Sequence, residues 1–446
     1  MKRLTLLLFS AVLTFAQSPP PDKQSPPPEQ APPPDSRDTA KDVRQRVRAV
    51  RAMAAQGQDS IPKIAAYLRD PDTNVRLEAV KALDDIGGPK TVDALVEAAR
   101  DNDPEIQIRA ADGLVNVYLP GYLKTGISGT LRRAGNSVRA KFTDTNDQII
   151  DAYVEVPLPV IQVLGRQALG SVSFESRANA ARALGILRGQ AAIPDLLEAL
   201  NSKDNRLMYE SLVALQKIRD PAAGPGLAFL LHDLDEKVRI AALQATGILR
   251  NQAAAPEVRD AIDHPLTLKT QREALSALAM MADQADRSIF LRYLNDRDEG
   301  LRTASAEGLA RLKNPDDRMV LEKAFETERT SGGRLAIAFA IVSLGSRQIS
   351  EFSPLQYLIN NLNVKAYRNV AIAYLTEAAR DPELRQAIYP ILTHATRDEK
   401  TGISIVLARS GDRDSETYLE ALVKDPDPEV MQESTRSLRT LRTRIR

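Results

Sequence analysis

One interval constrains this chain more than any other property: equivalent positions recur every 31 or 32 residues over most of its length. With Leu83 as reference, the series runs through Leu114, Leu184, Leu215, Thr246, Leu278, Leu309, Ala340, Leu375, Leu407 and Leu438. Two steps are longer: 70 residues after Leu114, which is one 31-residue repeat plus 39 inserted residues, and 35 residues after Ala340. A fixed period in this range marks an array of one supersecondary unit, whose apolar face stays open until neighbours stack on it.

What each unit contains follows from the positions around the reference. Four residues earlier stand Ala79, Ala110, Ala180, Ser211, Ala242, Ala274, Ser305, Ala336, Ala371, Ile403 and Ser434, small in all but one case. A small side chain one helical turn from a large apolar one lets a second helix approach closely. A second apolar stripe at helical spacing follows each first one after a break at Gly, Asn or Asp, as in Val92, Leu95, Val96 and Ala99 or Ile193, Leu196, Leu197 and Leu200. Each unit is therefore read as helix, turn, helix, and the chain as an all-α solenoid.

Seven residues before the reference the chain often places arginine, at Arg76, Arg177, Arg239, Arg302 and Arg368. Acidic turns precede several of them: DPDTNVR (70–76), DLDEKVR (233–239) and DRDEGLR (296–302). Aspartate accepts free N–H groups at a helix start and suits the positive end of the helix dipole. The expectation is a structural Asp and Arg ladder along the turns between repeats, broken where Gln107, Met208, Gln271, Gly333 and Met431 take the arginine position.

The segments NVRLEAVKALDDIG (74–87), SRANAARALGIL (176–187) and KVRIAALQATGIL (237–249) resemble HEAT repeats, and among these the short bacterial variety found in phycobilisome lyases. The resemblance covers residues 41–446 apart from the insertion. It implies an α-α superhelix with a binding surface along its concave face, usually lined by the second helices. It is almost silent on function, because sites are grafted onto folds.

Outside the array the chain changes character. Residues 1–16 have the build of a secretory signal, with Lys2 and Arg3, an apolar run from Leu4 to Phe15 and the small residue Ala16. Residues 17–39 carry three Pro triplets, a composition that gives a solvated polyproline II tether, or a docking segment for a proline-recognising partner. The repeat domain is placed at 40–446 with the insertion at 119–157. No later segment offers the roughly 18–20 uninterrupted apolar residues of a spanning helix, so no transmembrane segment is expected in the mature chain. A periplasmic or secreted location follows. The absence of cysteine excludes disulfides and thiolate sites. With 60 Lys plus Arg against 59 Asp plus Glu there is no net field favouring nucleic acid. The Arg-rich ends, Arg44 to Arg51 and Arg436 to Arg446, read as caps that keep the terminal repeats wettable, or as a contact to an anionic polymer.

Chemistry is sparse. His232, His264 and His394 are far apart and followed by Asp233, Pro265 and Ala395, so the His-Glu pairs of di-iron HEAT hydroxylases are missing. No phosphate loop, dinucleotide fingerprint or GxSxG elbow occurs. The expectation is a non-enzyme that needs no cofactor and no metal. The insertion is the one non-modular element. Its pieces Val138–Phe142 and Ile149–Val154 are β-prone around TDTNDQ, which suggests a small hairpin that lies over the groove or recognises a ligand.

These readings lead to a scaffold that binds a protein or peptide through the solenoid groove and the insertion, with a lyase-like or small-ligand protein using the insertion as a lid as the alternative. The binding residues expected are Tyr122, Arg132 and Arg133 in the insertion and Arg292, Tyr293, Tyr357, Arg385 and Tyr389 in the later second helices, since exposed Tyr and Arg are enriched at interface hot spots. N-terminal sequencing of the protein recovered from cells should find a start near Gln17; an intact Met1 in a cytoplasmic fraction would overturn the export expectation.

Overall fold

The structure, a computed structural model, describes residues 36–122 and 148–445. The signal segment 1–16, most of the tether, Arg132, Arg133 and the β-prone piece 138–142 lie outside the described residues. Each unit is a long first helix followed by a shorter second one. The first helices are α1 (Ser36–Ala54), α2 (Thr73–Ile86), α3 (Pro104–Tyr118), α4 (Phe174–Ile186), α5 (Asn205–Ile218) and α6 (Glu236–Ile248). They continue as α7 (Leu268–Met281), α8 (Glu299–Leu312), α9 (Ser331–Ser343), α10 (Arg368–Ala378), α11 (Arg397–Ser410) and α12 (Pro428–Ile445). Helix α1 thus begins inside the stretch read as tether.

The repeat register holds at atomic level. Every small position from Ala79 to Ser434, Ile403 included, is 0% exposed, and the reference residues beside them are buried. Consecutive first helices pack directly on one another along the whole chain. Two glycines tighten the seam further: a Cβ on Gly185 would stand 2.7 Å from Cα of Ala214, and one on Gly247 would stand 2.7 Å from Cα of Ala277.

Second helices are shorter, often opened by a 3-10 turn, and the one after α5 is a 3-10 stretch from Pro221 to His232. From Ala255–Asp263 onward they scarcely meet their successors. A stack whose first helices sit close while its second helices splay must bend with the first helices inside. The bend is sharp: Arg311 of α8 reaches over α9 to Glu377 of α10 at 2.9 Å, and the Tyr374 hydroxyl donates to Glu307 at 2.6 Å. The concave wall is therefore lined by first helices, contrary to the second-helix lining that the resemblance implied.

The ladder is structural, with more in it than the sequence suggested. Asp72, Asp103, Asp235 and Asp298 cap their helices, accepting backbone N–H groups in the first turn. Each register arginine donates to the carbonyl six residues upstream: Arg76 to Asp70, Arg177 to Ser171, Arg239 to Asp233, Arg302 to Asp296 and Arg368 to Leu362. Three also meet an acid from the following repeat, Arg76 with Asp101 at 2.7 Å, Arg302 with Glu328 at 2.6 Å and Arg368 with Asp398. At Glu328 burial pushes the carboxyl up, but Arg302 and the Thr330 amide and hydroxyl outweigh it and hold the pKa at about 2. The ladder is not simply broken where arginine is missing, because Gln107 donates to the Asp101 carbonyl at 2.6 Å and so keeps the same turn closed.

Both irregular steps are absorbed in loops. The insertion separates α3 from its second helix, Leu158–Gly170, and the 35-residue step lengthens the connection between α9 and Pro354–Asn360, where Gly345 and Phe352 take φ of 100° and 69°. Ile149–Val154 forms no strand. It runs as irregular backbone with a turn at Ala152 and Tyr153, and Ile150 N–H donates to the Ile186 carbonyl at the end of α4, 3.0 Å away. A helix end, not a neighbouring strand, satisfies it.

Ala180→Leu and Ala242→Leu should each lower stability by about 1–3 kcal/mol through overpacking of the seam. Gly185→Ala and Gly247→Ala should also destabilise, because the added methyl meets backbone, whereas Gly170→Ala, with nothing within 4 Å of its new Cβ, should not. Thermal melts check the set; equal melting of all five variants would mean that the first helices are not held at van der Waals contact.

Candidate functional site

The structure scatters the residues expected to bind. Arg385 is 5% exposed and works as a ladder arginine, donating to the Ala379 carbonyl at 2.7 Å and pairing with Asp412. Tyr389 is 3% exposed, stacked on Tyr418 with centroids 3.8 Å apart, its hydroxyl 2.8 Å from Ser415 Oγ. Both belong to the core, so neither is available to a partner. Tyr357 is half-buried, edge-on to Phe325 at 5.9 Å with the Arg334 guanidinium 5.2 Å from its ring. Arg292 is exposed, lies over the Tyr293 ring at 4.9 Å and pairs with Asp263 at 2.9 Å. Tyr293 and Tyr357 are half-buried against the core, the Tyr293 hydroxyl accepting from Gln271 of α7 at 3.3 Å, while Arg292 stands exposed.

Tyr122, where the insertion begins, is half-buried against the inner wall. Burial raises its phenol pKa, and Asp112 raises it further. Beneath it lies a polar group drawn from three first helices. Asn179 donates to Asp112 at 3.1 Å, and Arg182 pairs with Glu210 at 2.6 Å, all within the packed region between α3, α4 and α5. Burial opposes the Arg182 charge, but Glu210 outweighs it and leaves the pKa raised.

A second assembly was not foreseen. The return arm of the insertion, residues 148–156, lies across the C-terminal ends of α4 and α5: Ile150 is tied to Ile186, and Lys217 of α5 donates to the Gln148 carbonyl at 3.2 Å. The same arm meets the far end of the solenoid. Arg436 of α12 grips Asp151 through two nitrogens, at 2.6 and 3.0 Å, and the Tyr153 hydroxyl donates to Asp151 at 2.9 Å. Burial pushes the Asp151 carboxyl up, but Arg436 and Tyr153 prevail and lower it. The curvature of the stack thus returns α12 to the ends of α4 and α5, 285 residues from Asp151 to Arg436 along the chain.

Around this seam stand Arg188, Arg219, Arg409 and Arg439, all exposed. Among the described residues none of the four makes a hydrogen bond or ion pair through its guanidinium. Arg188, Arg219 and Arg409 are close enough to feel one another: burial of its head group and then the neighbouring Arg219 depress Arg188, and burial followed by Arg219 and Arg436 depresses Arg409. The sequence did carry a signal for part of this. Four residues after the reference stand Gly87, Arg188, Arg219, Arg250 and Lys313, a glycine exchanged for cations. Nothing in the sequence foretold that Arg409 joins them. Among the described residues no group of three His, Asp or Glu side chains is arranged to hold a metal ion, and no helix is long and apolar enough to cross a membrane.

Comparison with known proteins places these observations. The family model for HEAT repeats matches residues 36–115 and 161–246. Among solved structures the chain is similar to an engineered protein at 19% identity and a TM-score of 0.37, over 86% of this chain and 98% of that one. It is also similar to the complex of CpcE and CpcF of phycocyanin lyase from Nostoc sp. PCC7120 at 16% identity and a TM-score of 0.35, over 58% of this chain and 90% of that one. No curated protein matches the chain.

Arg436→Ala should test the seam. The pair is partly solvated, with side chains 54% and 26% exposed, so global stability should fall by less than about 1 kcal/mol. Hydrogen exchange at the Ile150 amide should quicken as the arm loosens. Unchanged exchange would mean that Ile186 alone holds the arm and that the two ends of the solenoid are independent.

Proposed function

We propose that this chain, whose residues 36–115 and 161–246 match HEAT repeats, is an exported, non-enzymatic scaffold that holds a protein or peptide partner along the inner wall of its solenoid and the insertion beside it. The observation that supports this reading is the seam, where the return arm of the insertion is tied to α4 and to α12 and the exposed side chains of Arg188, Arg219 and Arg409 stand beside it. Repeat stacks suit such a role because every unit adds an equivalent strip of side chains at a small fixed rotation, which makes an extended concave surface. The rigid inner wall adds preorganisation, so little conformational entropy is lost when a partner docks. Export rests on the basic, apolar and small residues of positions 2–16 and on the Pro-rich stretch behind them.

The polar group under Tyr122 favours a second reading. Asp112, Asn179, Arg182 and Glu210 converge beside the point where the insertion leaves the wall, and convergent polar groups in a shielded place are what orient a small ligand. In that case the insertion covers a ligand instead of meeting a partner.

Affinity purification from envelope extracts separates the two. The full chain should retain a partner protein that is lost when residues 119–157 are deleted and kept by Arg292→Ala, an exposed position on a second helix. If the partner survives the deletion but is lost with the Arg-rich end helices, the groove reading is wrong and the ends carry recognition. If no protein is retained while a small molecule raises the melting temperature of the full chain only, the second reading stands in its place.

A further inference from the structure

Five consecutive first helices, α4 to α8, end on a residue in the left-handed region: Arg188, Arg219, Arg250, Ala282 and Lys313, with φ between 51° and 60°. After α2 the same register position holds Gly87, at φ 61°, the residue type that accepts this conformation without a side-chain penalty. In L-residues with a Cβ it carries a steric cost. Four of the five positions nevertheless hold a cation. Attraction to the negative end of the helix dipole is one reason for a cation there, but it acts singly at each helix and does not account for what the far end of the solenoid adds.

That addition is the second observation. Closure of the seam brings Arg409 of α11 to the Arg188 and Arg219 end of this row, and Arg439 of α12 close to Tyr153 of the arm. Around Arg188 lie Arg219, Arg409 and Asp151; around Arg409 lie Arg219, Arg436, Glu433 and Asp151. Asp151 is already committed to Arg436 and Tyr153. Glu433 is then the counter-charge left beside Arg409, and it is shared with Arg436. Cations gathered with too few carboxylates repel one another, and an arriving anion relieves that repulsion.

We propose that the seam and the row leading from it form a docking track for an extended acidic segment of a partner protein. This narrows the scaffold reading above and rests on it. The spacing fits: packed helices stand about 8–10 Å apart, and an extended chain advances about 3.3 Å per residue, so a carboxylate at every third residue meets Arg188, Arg219 and Arg250 in turn. Arg409 and Arg439 receive one end of the segment. Lys313, beyond the gap at Ala282, marks the other.

The test uses the full chain and fluorescein-labelled synthetic peptides followed by fluorescence anisotropy. A peptide with glutamate at every third position is compared with its glutamine counterpart and with an oligothymidylate of equal charge. The glutamate peptide should bind about tenfold or more tighter than the glutamine peptide. Arg188→Gly combined with Arg219→Gly should weaken the glutamate peptide about tenfold while the melting temperature holds or rises, since glycine suits the left-handed turn. A melting temperature that falls with affinity unchanged would make these arginines helix caps and overturn the proposal. So would failure of both peptides to bind, or oligothymidylate binding as tightly as the glutamate peptide, which would describe an unselective polyanion surface. If the double variant and the wild type retain the same partner from envelope extracts equally well, the acidic track is wrong and the scaffold reading stands. If the wild type retains none, both fall.

Discussion

Everything in this molecule depends on how closely one first helix can approach the next. Alanine or serine at the contact, backed by Gly185 and Gly247 where even a methyl would strike backbone, brings the first helices together along the whole array. From Ala255–Asp263 onward their shorter partners stand apart. Curvature, the identity of the inner wall and the return of α12 all follow from that asymmetry. The principle is that of a bimetal strip: two layers of unequal spacing cannot remain straight.

The arginines of the register do a different job. Each holds the turn in front of its own helix through the carbonyl six residues upstream, and several reach the next repeat as well. Charge is secondary to the donor group, as Gln107 demonstrates by closing the same turn without a charge. This explains why the turn before α3 stays closed although the arginine is missing there.

Much of this was legible in the sequence, for an identifiable reason. Close helix contact writes itself as residue size at fixed spacing, so Ala180 with Leu184 or Ala274 with Leu278 can be read directly. The placement of Tyr389 could not be, because an aromatic on a second helix is core or surface according to where the next unit sits. Arg385 could have been recognised, since it stands six residues after the Ala379 carbonyl in the relation that the other ladder arginines keep. The segment Ile149–Val154 has strand composition but finds a helix end as its partner, a choice made by tertiary position and not by propensity. The meeting of Asp151 with Arg436 is beyond any local reading, because it sums small rotations over many units.

That meeting also changes what kind of object the solenoid is. A stack held only by neighbour contacts behaves as a spring, sharing any load among all its interfaces. The Asp151 and Arg436 pair adds a latch between turns of the coil, and being partly solvated it is weak beside the helix interfaces it spans. Under tension the latch yields before any repeat separates. The molecule therefore has two mechanical regimes, stiff while the coil is latched and compliant once it is released, and a ligand that competes for Arg436 would act on that elasticity.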